Sequence, residues 1–565
     1  MKKSESKNTA TAKPSADSSA SSANPAAAAG RIMGENAGAS AAGSKYSYDE
    51  VPYHSNAYPQ SQPEQLASQA KLFGMAPKLP SEARVLELGC SAGGNLIPLS
   101  VRYPKASFVG IELSRVEVEQ ARQAIQALSL GNIEIRHLSL TELKPPAQKF
   151  DYIICHGVYS WVPEMAQEAI FNICHRDLAD EGVAYISYNT YPGWKMREVI
   201  RDAILYHAGG ITDPKQQVAQ ARAIIQYIFK ITDPETAFGR YLKAETELMN
   251  KVKDDYLYHD HMEVNNHPCY FKDFIQRAAN HQLAYLGEAV LADMAPQRLG
   301  ADVYKTLQHL SRDNILATEQ YMDFFRNRTF RQTLLVHQNR FAQLRRNITS
   351  EHLRAFFFSG RIRQEGDRPL NAMEETSFSD NLGRKIKVRE PFVKAALAVL
   401  GEHFPRVFDF DEWLRQARLK LTGRETGNDS DIHLLDNSLS SLVLSGMLQL
   451  HVERQDYGRA ADTQPRAFEP ACYYAGLKQT VVPTLRHEPV SINQFDIALL
   501  PLLDGKTGSE VIKKSLLERC LNREFNIARN NVQVIDETEL RPLVGEMVNN
   551  ALAIYEKLGL LQPSP

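Results

Sequence analysis

A glycine-rich segment in the first third of the chain could hold a ligand against its backbone. Residues 85–94 read VLELGCSAGG, which predicts a strand, a turn of small residues and then a helix. Gly89 and Gly93 would let a ligand approach the turn and would let the helix pack closely on the strand. A tight turn that binds nothing is the alternative.

Two residues of this segment distinguish between the ligands that such a turn can hold. A dinucleotide favours G-x-G-x-x-G, and Ser91 stands where the middle glycine would be. Glu87 precedes the first glycine by two positions, where its charge would repel a pyrophosphate. A carboxylate there suits instead a ligand that carries an amino group and a positively charged sulfur.

A second acidic residue follows the turn at the distance typical of a ribose-binding carboxylate. Residues 109–114 read VGIELS, and Glu112 stands about 20 residues beyond the turn, at the end of the next predicted strand. Both nucleotide classes use such a carboxylate, so it supports a nucleoside ligand without choosing between them. A surface glutamate at a strand end is the alternative.

Aromatic residues collect after two later strands. Residues 156–163 read HGVYSWVP and residues 187–194 read SYNTYPGW. Their aromatic side chains would lie at the carboxyl ends of strands, where open sheets bind ligands. Ordinary packing is the alternative for any one of them. The residues concerned are Tyr159, Trp161, Tyr188, Tyr191 and Trp194.

Alternating strands and helices would position all these residues. Such alternation predicts parallel βαβ units and a doubly wound sheet, hence an α/β domain. The predicted strands cover 84–88, 107–112, 132–137, 150–155 and 182–188, and the predicted helices cover 95–102, 116–128 and 164–178. Two late strands, at 283–291 and 329–336, would join the same sheet.

The rest of the chain predicts helical insertions and a separate C-terminal part. The α/β domain would span 45–340, with helical insertions at about 200–265 and 294–325. Residues 345–455 suggest a winged-helix-like region of three helices and a strand, and 456–565 a C-terminal helical domain. Residues 1–44 are rich in Ala and Ser and predict a disordered tail.

Composition excludes several classes of protein. The 565 residues include 65 basic and 67 acidic ones, a net charge of -2, which argues against a dedicated nucleic-acid binder. The sequence has no run of about 20 apolar residues, so we expect no membrane span. The six cysteines form no C-x-x-C pair, which indicates a reducing, cytoplasmic setting.

The motif ELGCxxGG at 87–94, followed by GIELS at 110–114, resembles the class I S-adenosylmethionine-dependent methyltransferases. The resemblance implies a Rossmann-like domain and S-adenosyl-L-methionine as the cofactor. The resemblance further implies that one set of residues lines the methionine part of this cofactor, a second set its ribose and a third set its adenine. The sets are Glu87, Gly89 and Gly93; Glu112; and Ser139 with Leu140, with Leu113 and His156 also at the cofactor.

The adenine assignment departs from the family pattern. An acidic residue usually follows the third strand, but residues 137–140 read HLSL, without a carboxylate. The hydroxyl of Ser139 and the backbone around Leu140 would have to serve instead.

A longer resemblance rests on YDEVPY at 48–53, Ser55, QLA at 65–67 and YPGW at 191–194. Over about 45–560 the chain is similar to bacterial methyltransferases with a regulatory domain, among them the rickettsial outer-membrane-protein lysine methyltransferases. The resemblance implies that Tyr191 and Trp194 belong to the active site. It also implies that the segment around Tyr53 folds over the cofactor.

The aromatic residues fit an amine acceptor. Lysine has a pKa of about 10.4, so about one amine in a thousand is neutral near pH 7.4. Aromatic faces hold cationic groups, and a tyrosine hydroxyl can orient a nitrogen lone pair. We expect Tyr191, Trp194 and Tyr159 to do so. No neighbouring carboxylate base is evident, so we expect the proton to pass to water.

We therefore expect a methyltransferase that acts on protein lysine amines. The alternatives are a small-molecule or O-methyltransferase, and a non-catalytic regulatory protein that binds S-adenosylmethionine. Residues 156–163 lack the Asn/Asp-Pro-Pro-Tyr of many nucleobase methylases. The large helical and C-terminal parts suit a polypeptide substrate, by resemblance an outer-membrane protein. The insertion after Trp194 suggests a homodimer.

Three histidines raise the question of a metal site. His259 and His261 are two residues apart, so in a strand they would share a face, with His267 nearby, as in some zinc or iron sites. A polar connection beside Asn265 and Pro268 is the alternative that we favour. Because methyl transfer from a sulfonium needs no metal, we expect no metal site.

Overall fold

Seven strands form the central sheet of the computed structural model, which describes residue 49 and residues 55–427, 429–529 and 532–563. The strand order is β3-β2-β1-β4-β5-β7-β6, and β7 runs antiparallel to both of its neighbours. The strands are β1 (Arg84–Leu88), β2 (Ser107–Glu112), β3 (Ile133–His137), β4 (Phe150–Cys155), β5 (Leu178–Asn189), β6 (Leu283–Glu288) and β7 (Phe330–His337).

The first five strands are parallel, so their carboxyl ends share one edge of the sheet. The predicted α/β fold is therefore confirmed. Helices cover both faces, which is why the central strands are nearly continuous apolar runs. The helices of this first part are α1 (Pro63–Leu72), α2 (Leu96–Arg102), α3 (Arg115–Ala127) and α4 (Glu164–Asp177).

Alternation along each strand divides the core between the two faces. In β1, Leu86 packs with Phe171 and Phe274 on one face, while Val85 packs on the other. The second core continues into the C-terminal region, where it includes Trp413. That region and the sheet therefore share a hydrophobic core.

A group of helices follows β5, and most of it builds a small core of its own around Ile204, Ile225 and Leu242. The group consists of α5 (Trp194–Ala208), α6 (Pro214–Ile231), α7 (Ala237–Met249) and α8 (Asp254–Met262), and α9 (Phe271–Asn280) leads into β6. Two more helices, α10 (Ala301–Ser311) and α11 (Ile315–Arg326), lie between β6 and β7.

The strand in which the paired histidines would share a face is not formed, because His259 and His261 both lie in α8. Asp254 and Asp255 occupy its first turn, where acidic side chains favour a helix start. Residues two apart do not share a helix face, and His259 Nδ1 instead faces Glu263 at 3.1 Å. Within the described ranges, no three His, Cys, Asp or Glu side chains are placed to hold a metal ion.

Residues beyond β7 contribute short strands and eight helices in the described ranges. The first group contains α12 (Ser350–Leu353), α13 (Pro391–His403), α14 (Phe410–Thr422), α15 (Asp429–Leu444), β8 (Phe357–Ser359), β9 (Ile362–Gln364), β10 (Thr376–Asp380), β11 (Lys385–Val388) and β12 (Gln449–His451). The second contains α16 (Glu469–Gly476), α17 (Gln494–Leu499), α18 (Ser509–Leu521), α19 (Glu537–Leu558), β13 (Arg466–Ala467), β14 (Val481–Pro483), β15 (Pro489–Ser491), β16 (Ala528–Arg529), β17 (Val532–Gln533) and β18 (Leu561–Gln562).

Helix α17 of the C-terminal region is short. It ends at Leu499 and continues as a 3-10 turn at Leu500–Leu502, where Pro501 has no N–H for a helical bond. The expected tail at 1–44 lies outside the described residues. Among the helices that are described, none combines the length and apolarity that a membrane span needs.

Candidate active site

The carboxyl edge of the sheet collects the residues expected at a cofactor. Glu87 lies near the end of β1 and Gly89 follows that strand. Glu112 ends β2, Ser139 follows β3 and His156 follows β4. Backbone hydrogen bonds join the ends of neighbouring strands. The N–H of Gly89 donates to Ile111 O at 2.8 Å, and the N–H of Leu138 donates to Glu112 O at 3.0 Å.

The glycine turn needs residues without side chains. Gly89 and Gly93 have φ of +72° and +76°, a left-handed conformation that favours glycine. A Cβ on Gly89 would lie 2.5 Å from Val158 Cγ2, so a larger residue would collide with the loop after β4. Ser91, also at positive φ, continues the tight turn.

Glu87 is a buried carboxylate at the start of this turn. Its side chain is 2% exposed, and its Oε1 accepts a hydrogen bond of 2.8 Å from Asn95 Nδ2. Its Oε2 is buried without a hydrogen-bond partner among the residues that the structure describes. Burial raises the pKa of Glu87 to about 8, against the Asn95 hydrogen bond, which lowers it. A buried oxygen that lacks a donor fits a ligand with an ammonium group.

Glu112 ties the end of β2 to the glycine turn. Its Oε2 accepts from the N–H of Ser91 at 2.9 Å, and its Oε1 accepts from Leu113 and Ser114 at 2.7 and 2.8 Å. Burial raises the pKa of Glu112, although the three N–H donors oppose that shift. Each carboxylate oxygen can accept two hydrogen bonds, so Oε2 retains capacity for a ribose hydroxyl.

Three more residues expected at the cofactor, two of them around the adenine, lie just beyond the ends of β2 and β3. Leu113 is exposed, and its carbonyl lies 2.9 Å from His137 Nε2. Ser139 caps the 3-10 turn Leu140–Glu142 by accepting from the N–H of Thr141, so its hydroxyl is partly engaged. Leu140 packs against the sheet core.

His156 lies under a tyrosine from the N-terminal segment. The ring of Tyr58 is tilted by 37° against the ring of His156, at a centroid distance of 3.9 Å. His156 Nδ1 is 2.9 Å from Tyr185 Oη. Burial lowers the pKa of His156 to about 4, so its ring is neutral at physiological pH. Sequence reasoning missed Tyr58, which only the return of the N-terminal segment brings here.

The N-terminal segment passes across the glycine turn. Ser55 Oγ accepts from the N–H of Gly94 at 2.8 Å, and Asp49 Oδ1 accepts from Ser114 Oγ at 2.6 Å. Asp49 belongs to the YDEVPY motif and contacts the end of β2, while Ser55 follows the motif and contacts the turn. Tyr53 itself lies outside the described residues, so its expected place over the cofactor stays a prediction.

Tyr191 and Glu198 form a pair on the acceptor side. The Tyr191 hydroxyl donates to Glu198 Oε1, and Lys195 Nζ lies 3.8 Å from the centroid of the Tyr191 ring. Burial, followed by the neighbouring Glu198 carboxylate, raises the pKa of Tyr191. The expectation that no carboxylate adjoins the tyrosine is wrong. Glu198 stands one helical turn after Trp194, and this i,i+4 spacing on α5 was the available signal.

The other aromatic residues divide between the edge and the core. The rings of Trp194 and Trp161 meet edge-on at 6.0 Å, at the carboxyl ends of β5 and β4. Tyr159 is fully buried against Phe171 and Phe274, which favours packing for this residue. Its catalytic role stays a prediction without geometric support.

The main residues expected at the cofactor thus share one edge and fit a sulfonium nucleoside that bears an amino group. A family model described as a methyltransferase domain matches residues 85–182, and one described as a predicted methyltransferase regulatory domain matches residues 253–337. The structure of PKMT2 from Rickettsia typhi in complex with AdoHcy superposes with a TM-score of 0.81, at 30% identity, over 90% of this chain and 100% of that one.

The chain belongs to the class I S-adenosylmethionine-dependent methyltransferases, in the family of Rickettsia typhi PKMT2. The methyltransferase is also 34% identical over 525 residues to protein RP789 of Rickettsia prowazekii, across 90% of this chain and 93% of that protein. Protein RP028 of the same organism is 34% identical over 235 residues, across 41% of this chain and 94% of the relative.

The C-terminal region of the methyltransferase contains a winged-helix domain. A family model described as the PKMT C-terminal winged helix domain matches residues 463–560, which confirms a winged-helix element in this region. The winged-helix-like region expected at 345–455 stays a prediction.

Proposed function

We propose that the methyltransferase modifies lysine amines of a polypeptide. The observation that carries this proposal is the Tyr191 side chain at the carboxyl edge of the sheet. Its hydroxyl is hydrogen-bonded to the Glu198 carboxylate, and its ring face contacts an ammonium group, that of Lys195. Aromatic faces attract ammonium groups, so the aromatic side chains at this edge are suited to hold the ammonium of a substrate lysine.

Specific residues would hold S-adenosylmethionine, which supplies a methyl group on an electrophilic sulfonium. Glu87 would accept the amino group with its unpartnered Oε2, while Gly89 and Gly93 admit the ligand close to the backbone. Glu112 would take the ribose with the remaining capacity of its Oε2. The protein then aligns the acceptor with the methyl group, because in-line alignment is its main contribution to such a displacement.

Tyr191 would orient the acceptor nitrogen. Because its pKa is raised, Tyr191 stays a neutral phenol and its proton stays on the hydrogen bond to Glu198. The phenol oxygen can then accept an N–H from the incoming amine. That contact directs the nitrogen lone pair away from the ring oxygen and fixes the amine.

Glu198 gives the departing proton a route. A lysine amine must lose its proton before it can attack, and only about one in a thousand has done so near pH 7.4. Glu198 is partly exposed, so its carboxylate joins the tyrosine to solvent. The incoming ammonium would give its proton to the Glu198 carboxylate, which passes it to solvent, while the phenol proton of Tyr191 stays in place.

The helices after β5 support a homodimer and a large substrate. Several of their large apolar side chains are exposed, among them Tyr206, Tyr227 and Ile231. Exposed apolar patches mark interaction surfaces, and we propose that this one joins two copies. The resemblance noted above makes an outer-membrane protein the first polypeptide substrate to try.

The proposal is tested with labelled S-adenosylmethionine and a lysate separated by size, beside a small-molecule extract. We expect label in discrete protein bands and on lysine after hydrolysis. Y191F and E198Q should each lower the rate of transfer by roughly tenfold to a thousandfold, since orientation and proton transfer contribute on that order. Affinity for S-adenosylhomocysteine should stay within about twofold.

The matched control is Y304F, a half-buried tyrosine of α10 outside the candidate site and outside the surface proposed for the dimer, which should leave the rate unchanged. Label confined to the small-molecule fraction would replace the lysine proposal by a small-molecule or O-methyltransferase. Binding of S-adenosylhomocysteine without transfer to any fraction would indicate a regulatory protein instead.

A further inference from the structure

A histidine of the C-terminal region reaches the residue that holds Glu87. His487 lies in the turn between β14 and β15, and its Nε2 is 2.7 Å from Asn95 Oδ1, across 392 positions of sequence. Asn95 Nδ2 donates in turn to Glu87 Oε1 at 2.8 Å. His487 is 1% exposed, and the other two side chains are buried as well. The three form one chain of buried hydrogen bonds that ends at the carboxylate.

The direction of each hydrogen bond follows from a backbone group. The N–H of Tyr58 can only donate, and it points at Asn95 Oδ1 from 3.1 Å, which identifies that atom as the amide oxygen. The amide nitrogen therefore faces Glu87. His487 must then carry its hydrogen on Nε2 and donate it to Asn95. Burial lowers the pKa of His487 to about 3, so the ring is a neutral donor at physiological pH.

The backbone of the turn aims His487 at Asn95. Its φ is +61°, which few residues other than glycine adopt. The turn is fixed by Thr484, whose carbonyl accepts from the N–H of His487 at 2.9 Å and whose Oγ accepts from Arg486 and Glu488 at 3.2 Å each. A residue keeps such a strained backbone conformation only where the surrounding contacts hold it, and strained residues are frequent at binding sites.

The C-terminal region also covers the helix that follows the glycine turn. Helix α16 packs on α2, and Val101 of α2 joins the C-terminal core. Gln62 bridges the two parts, since its Nε2 donates to Arg486 O at 3.5 Å and its Oε1 accepts from Arg102 at 3.1 Å. Asn95, directly before α2, is thus held from both sides.

We propose that His487 is a positioning residue of the S-adenosylmethionine site. By donating to Asn95, it fixes the Glu87 carboxylate for the amino group of the ligand. The C-terminal region then completes the cofactor site of the methyltransferase domain, whatever else it does for the substrate. This inference rests on the proposed role of Glu87.

The test measures the affinity of the full chain for S-adenosylhomocysteine by calorimetry. H487M and H487Q have equal side-chain lengths and should meet a similar penalty at positive φ, but only glutamine can donate to Asn95. We expect H487M to raise the Kd about tenfold, because it loses one buried hydrogen bond. The Kd of H487Q should stay within about threefold of that of the parent chain. In the background of E87Q, H487M should change the Kd by less than about twofold, because both act on one contact.

Two further variants separate positioning from stability. Y555F removes a hydrogen bond to Asp496 of 2.7 Å within the same region, and it should lower the melting temperature without changing the Kd. H487N tolerates positive φ better but its shorter side chain does not reach Asn95, so it replaces H487M if that chain fails to fold.

The outcomes distinguish the two proposals. If E87Q leaves the Kd unchanged, the proposed role of Glu87 fails. If E87Q weakens binding but H487M does not, or if their effects add in full, the inference about His487 alone is overturned. A Y555F chain with the same loss of affinity as H487M would overturn it too.

Discussion

Glu87 shows how burial prepares a side chain for a charged ligand. Its carboxylate is out of contact with solvent, close to Glu112, and it has one hydrogen bond from Asn95. Removing a carboxylate from water disfavours its ionised form. The raised pKa of Glu87 is therefore expected if the positive charge that pairs with its carboxylate belongs to the ligand.

This raised pKa predicts that binding depends on pH. The free chain has a Glu87 pKa of about 8, so below that pH Glu87 must release a proton before it can pair with an ammonium. Affinity for S-adenosylhomocysteine should rise from pH 6 towards pH 8, by up to about tenfold per unit, and then level off. Calorimetry in buffers of different ionisation enthalpy counts the released proton.

E87Q provides the comparison, because glutamine does not titrate. Its affinity should be lower and nearly constant over the same range. His156 and His487 have pKa values of about 4 and about 3, so neither changes charge between pH 6 and pH 8. A pH profile of E87Q that matches that of the parent chain would contradict this assignment.

At the scale of elements, the N-terminal segment closes the glycine turn by backbone contact. Gly94 has room for a hydrogen only, because a Cβ there would overlap the backbone of Ser55. G94A should therefore push the segment off the turn and weaken binding of S-adenosylhomocysteine about tenfold, since overpacking of this kind costs about 1–3 kcal/mol.

The matched control is G131A, a glycine that would meet no atom within 4 Å of an added Cβ. Its affinity should equal that of the parent chain. Limited proteolysis near residue 55 should become faster in G94A alone. If G94A binds as tightly as G131A does, the segment is not needed for the ligand.

For the whole molecule, the helices after β5 predict a self-association surface. Tyr227 and Ile231 are exposed one turn apart on α6, and we expect the methyltransferase to be a dimer at micromolar concentration. Changing both to lysine should yield monomers, because burying two charges in an apolar interface is unfavourable. Sedimentation velocity distinguishes the two states.

M373K is the corresponding control. Met373 is exposed in the C-terminal region, away from the helices after β5, so this variant should sediment as the parent chain does. A monomeric parent chain would remove the dimer proposal. A dimer that survives the double lysine change would place the interface elsewhere.

Local patterns in the sequence determined the sheet and much of the cofactor site. Strands β2 and β4 begin and end where their apolar runs predicted, and the small residues of 89–94 form the turn that their type requires. Glu87 and Glu112 lie at the predicted strand ends. These features depend on residues close together in sequence, so periodicity and residue type suffice to find them.

Only the tertiary structure decided the contacts that join distant parts of the chain. Tyr58 covers His156 because the N-terminal segment returns to the sheet, and His487 reaches Asn95 from the far end of the chain. Such contacts depend on how whole elements pack, and the free energy of that packing is spread over many apolar side chains. No short stretch of sequence carries it, so the residues that complete this site appear only when the fold brings them together.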